Sequence, residues 1–476
     1  MFLKIVVYIY MLSLIFLLPY CYICYFFVYG ATKYNARKVN KIKRYPVVTI
    51  QLPIYNEKLV FTRLLKSTTD INWPKSKLEI LVLDDSSDDT NDLIDSEVYF
   101  YRSKGYEIRV IRKRIRKGFK AGALQNALTY SQGEYLVVFD ADSIPSSNFL
   151  LNTIPFLEES PKLGYIQTRL GHINRNFNKI TEMISIALDC HFMIEQPARD
   201  SLSLVTTFNG SAGVLRKQAI LDIGGWSSET LTEDMELSYR MRINGWGSMY
   251  LRDVVVQSEV PLTLSDFKKQ QARWSCGCAQ TAKKLLKIIL VSKNFSLLQK
   301  IESTLHMTKY FTSLGIFLSF LSLALMAILG YNPQSIVYSV LGLFSTLGAI
   351  GVSIMYFSAV KFQGLKLKEK MPYLGFLSVI GVGFSAHYSI SVLKGLLIHK
   401  HKFVNTPKYN VNNSSNPSSL KTHNSIKSFP YVESTSVMIC LAGIYSAYLN
   451  NIYIAISSLF IFLISYLFVI YYTFKK

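Results

Sequence analysis

Acidic residues at a spacing that suits metal binding follow a short apolar run in the middle of the chain. Asp140 and Asp142 are separated by one residue and come directly after Tyr135–Phe139. Two carboxylates at this spacing can share a hard divalent cation, and such a cation neutralises a diphosphate. Asp-x-Asp also occurs in ordinary loops, but the preceding apolar run favours a site. The pattern therefore predicts a metal site at Asp140 and Asp142.

A second acidic group follows another apolar run. Asp84 and Asp85 end this run, and Asp88 and Asp89 come shortly after them. One interpretation is a solvated turn that precedes a helix. The other is a carboxylate at a strand end that binds the ribose or nucleoside of a nucleotide. We assign this second role to Asp85 rather than to Asp84.

A third acidic group, Thr232-Glu233-Asp234, opens a predicted helix. Thr232 suits the N-cap and acids suit the first turn, so capping alone would account for Thr232 and one acid. A sugar transfer with inversion instead needs a carboxylate that deprotonates the attacking hydroxyl. Asp234 is our candidate for this base, and Glu233 is the second catalytic candidate beside it.

A Gln-x-x-Arg-Trp motif on a later helix is difficult to explain by packing. Gln270 and Arg273 are polar where a core would be apolar, and Trp274 does not suit a solvated surface. Arg273 can neutralise a departing diphosphate, and Trp274 offers a flat apolar face to a sugar ring. Lys120 opens another predicted helix, where a phosphate can bind.

The elements that must position these residues alternate between strands and helices. Four apolar runs predict strands, at Val47–Leu52, Leu78–Leu83, Glu107–Ile111 and Tyr135–Phe139. A helix is predicted at Lys120–Thr129, between the third strand and the fourth. This alternation predicts a mainly parallel sheet with flanking helices. Ligands bind at the carboxyl ends of such strands, and Glu57, Asp85 and Asp140 all fall there.

The hydrophobicity of the chain is divided unevenly. Half of the 476 residues are apolar, and they concentrate at the N-terminus and beyond Tyr310. This separation predicts three regions: an N-terminal transmembrane helix at 1–31, a globular domain at 32–300 and a C-terminal membrane region at 301–476. The formal charge is +21, but no nucleic-acid-binding motif accompanies it, so nucleic acid is excluded as a partner.

The membrane region contains four clear apolar segments and one ambiguous segment. The clear segments are predicted spans at Phe311–Leu329, Ile336–Val360, Val432–Leu449 and Ile452–Tyr472. The segment 373–398 is apolar but contains several polar residues. Basic residues after the first span place the globular domain in the cytoplasm. The same rule favours a segment 373–398 that lies in the membrane interface or re-enters it, and not one that spans the membrane. The basic loop 399–430 is then cytoplasmic.

Taken together, these motifs resemble those of the processive membrane glycosyltransferases of family 2. The chain is similar to cellulose and hyaluronan synthases, and most similar to mannan and glucomannan synthase-like proteins. The motifs are Asp85, Asp140-x-Asp142, Thr232-Glu233-Asp234, Gln270-x-x-Arg273-Trp274, Asp189-Cys190-His191-Phe192, Phe208–Gly213 and Gly224-Gly225-Trp226.

The resemblance implies a GT-A fold between transmembrane helices, inversion at the anomeric carbon, and Mg²⁺ or Mn²⁺ as the cofactor. The implied donor site consists of Tyr55, Glu57, Asp85, Lys120, Asp140, Gln270 and Arg273, and the implied acceptor site consists of Phe208, Asn209, Gly210 and Trp274. Phe403, Thr406 and Lys408 resemble the gating-loop motif of bacterial cellulose synthase, although the middle valine of that motif is missing.

These inferences predict an integral, multi-pass enzyme of the plasma membrane. It would transfer a hexose from GDP-mannose or UDP-glucose to a growing β-linked polysaccharide on the cytoplasmic face. One alternative is transfer of a single sugar to a lipid acceptor, as in ceramide glucosyltransferase-like proteins. A non-catalytic scaffold or exporter is disfavoured, because every carboxylate that the chemistry needs is present. The expected partners are the sugar nucleotide, a glycan or lipid-linked acceptor, and membrane lipids.

Overall fold

A seven-stranded sheet forms the centre of the domain. The structure is a computed structural model that describes residues 1–113, 116–332, 336–398, 406–411 and 430–474. The strands are β1 (Val48–Ile54), β2 (Leu78–Asp84), β3 (Glu107–Arg112), β4 (Tyr135–Val138), β5 (Leu163–His172), β6 (Gly213–Arg216) and β7 (Gly247–Ser258). Their order is β3-β2-β1-β4-β6-β5-β7. Only β6 among them runs antiparallel to its neighbours, so the predicted mainly parallel sheet is confirmed.

The apolar runs form strands because they are buried on both faces. In β2 every residue is buried. Ile80 and Val82 belong to the core on one face of the sheet, and Leu81 and Leu83 to the core on the other. Burial on both faces is typical of parallel sheets and produces continuous rather than alternating apolar runs. The four predicted strands are all present, with ends displaced by at most two residues.

Helices cover both faces of the sheet. The chain begins with helix α1 (Phe2–Lys33), which precedes the domain. The helices of the domain are α2 (Lys58–Thr69), α3 (Thr90–Ser103), α4 (Phe119–Ala127), α5 (Ile154–Glu159), α6 (Lys179–Asp189), α7 (Gln196–Ser201), α8 (Lys217–Asp222), α9 (Glu233–Ile243), α10 (Leu264–Val291) and α11 (Leu297–Met307). A π-helical turn, Cys190–Glu195, joins α6 to α7, and a short 3₁₀ turn, Lys75–Lys77, precedes β2. The predicted boundary between residues 300 and 301 lies inside α11.

Within the described ranges, six helices follow the domain: α12 (Phe311–Ile328), α13 (Ile336–Phe362), α14 (Leu367–Gly383), α15 (Ser385–Leu397), α16 (Tyr431–Leu449) and α17 (Tyr453–Phe474). In the described part of the chain, five helices are long and apolar enough to cross a membrane: α1, α12, α13, α16 and α17. They correspond to the predicted spans. The ambiguous segment is the pair α14 and α15, bent by 51°, and this bend fits a broken span as well as a re-entrant pair.

Helix α10 connects the domain to the membrane helices. It packs closely on α15, where a Cβ added to Gly395 would lie 2.4 Å from the carbonyl oxygen of Cys276. Lys268 of α10 also forms an ion pair with Glu433 of α16. The helix that carries Gln270, Arg273 and Trp274 is therefore held against the membrane region.

Candidate functional site

The predicted site residues meet in one cavity of about 530 Å³. Every one of them within the described ranges lines this cavity: Tyr55, Glu57, Asp85, Lys120, Asp140, Asp142, Phe208, Asn209, Gly210, Glu233, Asp234, Gln270, Arg273, Trp274, Thr406 and Lys408. Phe403 lies outside the described residues. The cavity is located at the carboxyl ends of β1, β2 and β4, as the alternation of strands and helices predicts.

One end of the cavity is formed by the loops after β1 and β2. The backbone N–H of Asp85 donates to the carbonyl oxygen of Ile54 at 3.0 Å. The guanidinium of Arg116 stacks on the Tyr55 ring, 3.3 Å from its centroid, and its Nε lies 3.8 Å from the Asp85 carboxylate. Burial raises the pKa of Asp85, and the charge of Arg116 opposes that shift. A carboxylate beside a flat cationic surface suits a nucleoside.

Glu57 faces the same end of the cavity, and its carboxyl group holds a proton more tightly than usual. Burial raises the pKa of its carboxyl group to about 8; Lys408 opposes this shift, whereas Asp142 and Asp140 reinforce it. A protonated carboxyl group donates a hydrogen bond as well as accepting one. Glu57 can therefore contact both donors and acceptors on a bound ligand.

Each aspartate of the Asp-x-Asp pair forms an ion pair with a lysine, and in each case only one carboxylate oxygen accepts hydrogen bonds from the described residues. Lys120 Nζ donates to Asp140 Oδ1, and also to the carbonyl oxygen of Gly210 at 2.8 Å. Three donors converge on Asp142 Oδ2: Lys408 Nζ at 2.7 Å, Ser258 Oγ at 2.6 Å and the Glu259 N–H at 2.6 Å. Within the described ranges, no donor contacts Asp140 Oδ2 or Asp142 Oδ1.

These two oxygens fit the predicted metal ion. Mg²⁺ is commonly held in proteins by one or two carboxylates together with substrate phosphates and water. No cluster of three or more His, Cys, Asp or Glu side chains that could hold a metal occurs among the residues that the structure describes. Asp140 and Asp142 therefore supply a partial site that a diphosphate would complete.

Glu233 and Asp234 are the first two residues of α9, which begins close to Gly210. Thr232 occupies the N-cap position but makes no capping hydrogen bond, because its hydroxyl pairs with Thr281 Oγ1 at 3.1 Å. Capping therefore does not explain Thr232. A Cβ added to Gly210 would lie 3.1 Å from Asp234 Oδ2, so the backbone passes close to the candidate base.

The two carboxyl groups at the start of α9 hold protons more tightly than usual. Removal from water raises the pKa of Glu233 to about 7, and the charge of Asp234 adds to this shift. Removal from water also raises the pKa of Asp234, although the cations of Lys120 and Arg273 oppose it. A raised pKa brings a carboxylate closer to the basicity that proton abstraction at neutral pH requires.

Helix α10 places its three motif residues along the same cavity. Gln270 Oε1 is buried and has no hydrogen-bond donor within the described part of the chain. A hydroxyl of a bound sugar would supply that donor. Burial lowers the pKa of Arg273, and the charges of Glu233, Asp234 and Asp140 oppose this shift. The guanidinium therefore lies near both the candidate base and the Asp-x-Asp pair.

Phe208 differs from the other predicted acceptor residues. Its ring is only 1% exposed and packs in the core against Trp226, with ring centroids 6.1 Å apart. Gly213 makes room for it, because a Cβ there would lie 2.4 Å from the Phe208 ring. Phe208 therefore supports the loop from the core, whereas Asn209 and Gly210 face the cavity.

The described part of the predicted gating loop, Thr406–Val411, is attached at the Asp-x-Asp end. Glu259 accepts hydrogen bonds from the backbone N–H groups of Tyr409 at 2.9 Å and Val411 at 3.2 Å. Arg63 Nη2 donates to the same carboxylate at 2.7 Å. Sequence patterns gave no sign of Glu259, which is the residue that holds this segment.

The remaining wall of the cavity comes from the membrane region. Aromatic and apolar side chains of α13, α14 and α15 and of the turn before α12 form it: Tyr310, Tyr356, Leu377, Ile380, Phe384 and Tyr388. The cavity thus extends from the polar strand ends of the domain to the membrane helices. Aromatic walls of this kind suit a sugar ring or an apolar chain.

Comparisons with known proteins agree with this site. The family description "Glycosyl transferase family 2" matches residues 49–220, and "Glycosyl transferase family group 2" matches residues 135–354. These ranges contain all of the strand-end and α9 candidates and the Gln-x-x-Arg-Trp motif. Residues 49–220 therefore belong to a family 2 glycosyltransferase domain, and the second match continues into the first helices of the membrane region.

Two curated relatives of the glycosyltransferase domain are plant proteins. A probable glucomannan 4-beta-mannosyltransferase 7 of Oryza sativa subsp. japonica is 40% identical over 54% of this chain and 44% of its own length. Glucomannan 4-beta-mannosyltransferase 1 of Cyamopsis tetragonoloba is 39% identical over 57% of this chain and 53% of its own length. The chain thus spans about half the length of the curated relatives that it matches.

Among solved structures, a mannosyltransferase from Pyrobaculum calidifontis has a TM-score of 0.56 and 18% identity. The match covers 82% of this chain and 100% of that one. At this identity the likeness concerns the fold, and it confirms the GT-A architecture of the glycosyltransferase domain.

Gly277 allows α10 to approach the start of α9 in this domain. A Cβ at Gly277 would lie 2.6 Å from Thr232 Cγ2 and 2.8 Å from Thr232 N. Gly277→Ala is therefore expected to displace the Glu233 and Asp234 backbone and to lower hexose transfer by about 10²-fold. Gly375→Ala is the matched control, because no atom lies within 4 Å of its added Cβ.

The measurement is hexose transfer and sugar-nucleotide binding by both purified variants. Gly277→Ala should retain most sugar-nucleotide binding, since Tyr55, Asp85 and Asp140 lie at strand ends that the added Cβ does not contact. Equal transfer by Gly277→Ala and Gly375→Ala would show that the start of α9 does not need its present position.

Proposed function

We propose that this protein transfers mannose from GDP-mannose to a growing β-linked polysaccharide, with inversion and on the cytoplasmic face of the plasma membrane. The observation that carries this proposal is the convergence of all described candidate residues on one cavity. Both named plant relatives are glucomannan 4-beta-mannosyltransferases. The Pyrobaculum neighbour was solved with GDP-Man and Mn2+. These names favour GDP-mannose over UDP-glucose as the donor.

The donor would lie between the strand-end loops and α10. Tyr55 and Asp85 would contact the nucleoside, and Lys120 and Arg273 would neutralise the diphosphate by charge-assisted hydrogen bonds. Asp140 and Asp142 would hold Mg²⁺ or Mn²⁺ through their available oxygens. When bound, that ion would compensate the negative charge that develops on the leaving diphosphate.

The acceptor would enter from the membrane side, where Trp274 and the aromatic wall can stack on sugar rings. Asp234 would take the proton from the attacking hydroxyl, since its pKa is raised and it borders Gly210. Glu233 would share the abstracted proton with Asp234, since the neighbouring carboxyl groups both have a raised pKa.

A second candidate is transfer of a single sugar to a lipid acceptor. The observation that favours it is the wall of membrane-helix side chains, which includes Leu377, Ile380 and Phe384. An apolar chain could lie along this wall as readily as a glycan. The two candidates share the donor, the metal and the base, and differ only in the product.

We expect the purified protein with Mn²⁺ or Mg²⁺ to release GDP from GDP-mannose faster than UDP from UDP-glucose. Removal of the metal by EDTA should reduce release by about 10²-fold or more, because metal charge stabilisation contributes several kcal/mol. Product size then separates the candidates: β-mannosidase-sensitive chains support polysaccharide synthesis, and a single glycolipid supports the second candidate. Metal-independent release of either nucleotide would contradict both.

A further inference from the structure

Asn209 faces the cavity, and its side-chain amide is hydrogen-bonded at both ends. Its Oδ1 accepts from Gln196 Nε2 at 2.9 Å, and its Nδ2 lies 3.0 Å from His191 Nε2. Its backbone N–H donates to Gln167 Oε1 at 2.8 Å. The residue is therefore fixed from three directions before any substrate binds.

The orientation of this amide follows from the backbone of Thr207. Gln196 Nε2 donates to the Thr207 carbonyl oxygen at 2.7 Å, and Gln196 Oε1 accepts from the Thr207 N–H at 3.2 Å. Backbone donors and acceptors cannot exchange roles, so the nitrogen of Gln196 is assigned without ambiguity. Its second N–H donates to Asn209 Oδ1, and Asn209 Nδ2 must then face His191.

Because Asn209 Nδ2 is a donor, His191 Nε2 has to be the acceptor. That requires a neutral imidazole with its proton on Nδ1. The Nδ1–H donates to Glu195 Oε2 at 3.0 Å, and Glu195 Oε2 also accepts from Arg199 Nη1 at 3.2 Å. The chain of hydrogen bonds from Thr207 to Arg199 thus permits a single order of donors and acceptors.

We propose that His191 is a positioning residue, which as the neutral Nδ1–H tautomer aims the second Nδ2–H of Asn209 into the cavity to bind an oxygen of the acceptor sugar. That N–H has no acceptor within the described part of the chain. The Asn209 site selects a ligand oxygen, either a hydroxyl or a ring oxygen. This inference rests on the proposed function, because it assigns a contact to the acceptor of the transfer.

The surroundings of His191 keep its ring neutral at neutral pH. Burial lowers the pKa of His191; the carboxylate of Glu195 opposes this shift, and the charges of Lys309 and Arg199 reinforce it. The charged and titratable groups that act on it are Glu195 and Arg199 on its own segment, His306 on α11 and Lys309 after α11.

Protonation of His191 would break this order. An Nε2–H would then face the Nδ2–H₂ group of Asn209. The amide could avoid this clash only by turning over, which would set its nitrogen against the Gln196 Nε2 donor. The KM for the acceptor should therefore rise as the pH falls through the pKa of His191, whereas sugar-nucleotide binding should not follow the same titration.

The kinetic test uses the full-length protein, GDP-mannose and a soluble β-1,4-linked manno-oligosaccharide across a pH series. His191→Phe removes the acceptor for Asn209 and should raise the acceptor KM about tenfold at neutral pH, the value of one hydrogen bond of ~1.4 kcal/mol. Its kcat and its KM for GDP-mannose should stay within about twofold. His191→Gln offers Asn209 an amide oxygen that does not titrate. This variant should therefore restore much of the acceptor affinity, and its acceptor KM should not rise at acid pH.

A spectroscopic test reads the tautomer without any substrate. In histidine-labelled protein, ¹⁵N solid-state NMR with His191→Gln as the difference sample should show a neutral His191 protonated on Nδ1. A ring protonated on Nε2, or on both nitrogens at neutral pH, would overturn the inference.

The proposed function and the role of His191 are contradicted by different results. A wild type that transfers mannose, together with an acceptor KM unchanged in His191→Phe, would overturn the role of His191 and leave the proposed function intact. Absence of transfer by the wild type from any sugar nucleotide would overturn the proposed function and the acceptor contact with it.

Discussion

Asp234→Asn is expected to lower hexose transfer by about 10³-fold, since a general base contributes typically 10²–10⁴-fold. Asparagine keeps the size of the side chain and its hydrogen bond from the Met235 N–H, which is 2.8 Å long in the wild type. It cannot take a proton at neutral pH. The loss should therefore appear in kcat, whereas the affinity for GDP-mannose should change little because the donor contacts lie on other loops.

The matched control is Asp92→Asn, which neutralises an exposed carboxylate in the first turn of α3. Asp92 does not line the cavity, so this variant should retain transfer. Glu233→Gln distinguishes the roles of the two acids. If Asp234 is the base, Glu233→Gln should lower kcat less than Asp234→Asn does. If Glu233→Gln is the inactive variant and Asp234→Asn is active, the roles of the two residues must be exchanged.

Arg199→Leu is expected to destabilise the protein by about 3–5 kcal/mol, the cost of removing one partner of a buried ion pair. Arg199 is 1% exposed. Its Nε donates to Glu302 Oε1 at 2.8 Å and its Nη1 to Glu195 Oε2 at 3.2 Å, and its guanidinium lies over the Phe27 ring at 5.0 Å. Leucine would leave two carboxylates without their cation where α1, α7 and α11 meet.

Thermal unfolding in detergent measures this effect, and the expected decrease in Tm is ~10 °C. Arg44→Leu is the control, because the Arg44 side chain is 54% exposed in its ion pairs and such pairs contribute only ~0–1 kcal/mol. Adding Glu302→Gln to Arg199→Leu should recover part of the loss. An Arg199→Leu protein as stable as Arg44→Leu would show that the buried network does not hold these helices together.

Strands β1 to β4 and the five spans were predictable because their signal is local. A strand buried on both faces is an apolar run, and a span is a longer one. Strands β5 to β7 lack this signal. β5 contains Gln167 and Thr168, which are fully buried because their side chains bond the loop at Ser211 and Ala212, and β7 carries Arg252 and Asp253 in its interior. β6 begins with Gly213 and ends with Arg216, so its apolar run is only two residues long.

The site could be predicted at the level of motifs but not of partners. Strand ends and helix starts place Asp85, Asp140 and Asp234 at one edge of the sheet. No local pattern indicates that Lys408 contacts Asp142 across 266 positions of sequence, or that Arg116 stacks on Tyr55. His191 was visible only as part of a family motif, because its role depends on a chain of hydrogen bonds that tertiary structure assembles.

The most direct measurement of the central claim is the anomeric configuration of the product made from GDP-[1-¹³C]mannose by wild type and Asp234→Asn in parallel. The donor is an α-glycoside, so inversion by a base at Asp234 predicts labelled β-mannosyl linkages from the wild type and almost none from the variant. An α-linked product, or equal amounts of product from both proteins, would contradict inversion by a base at Asp234.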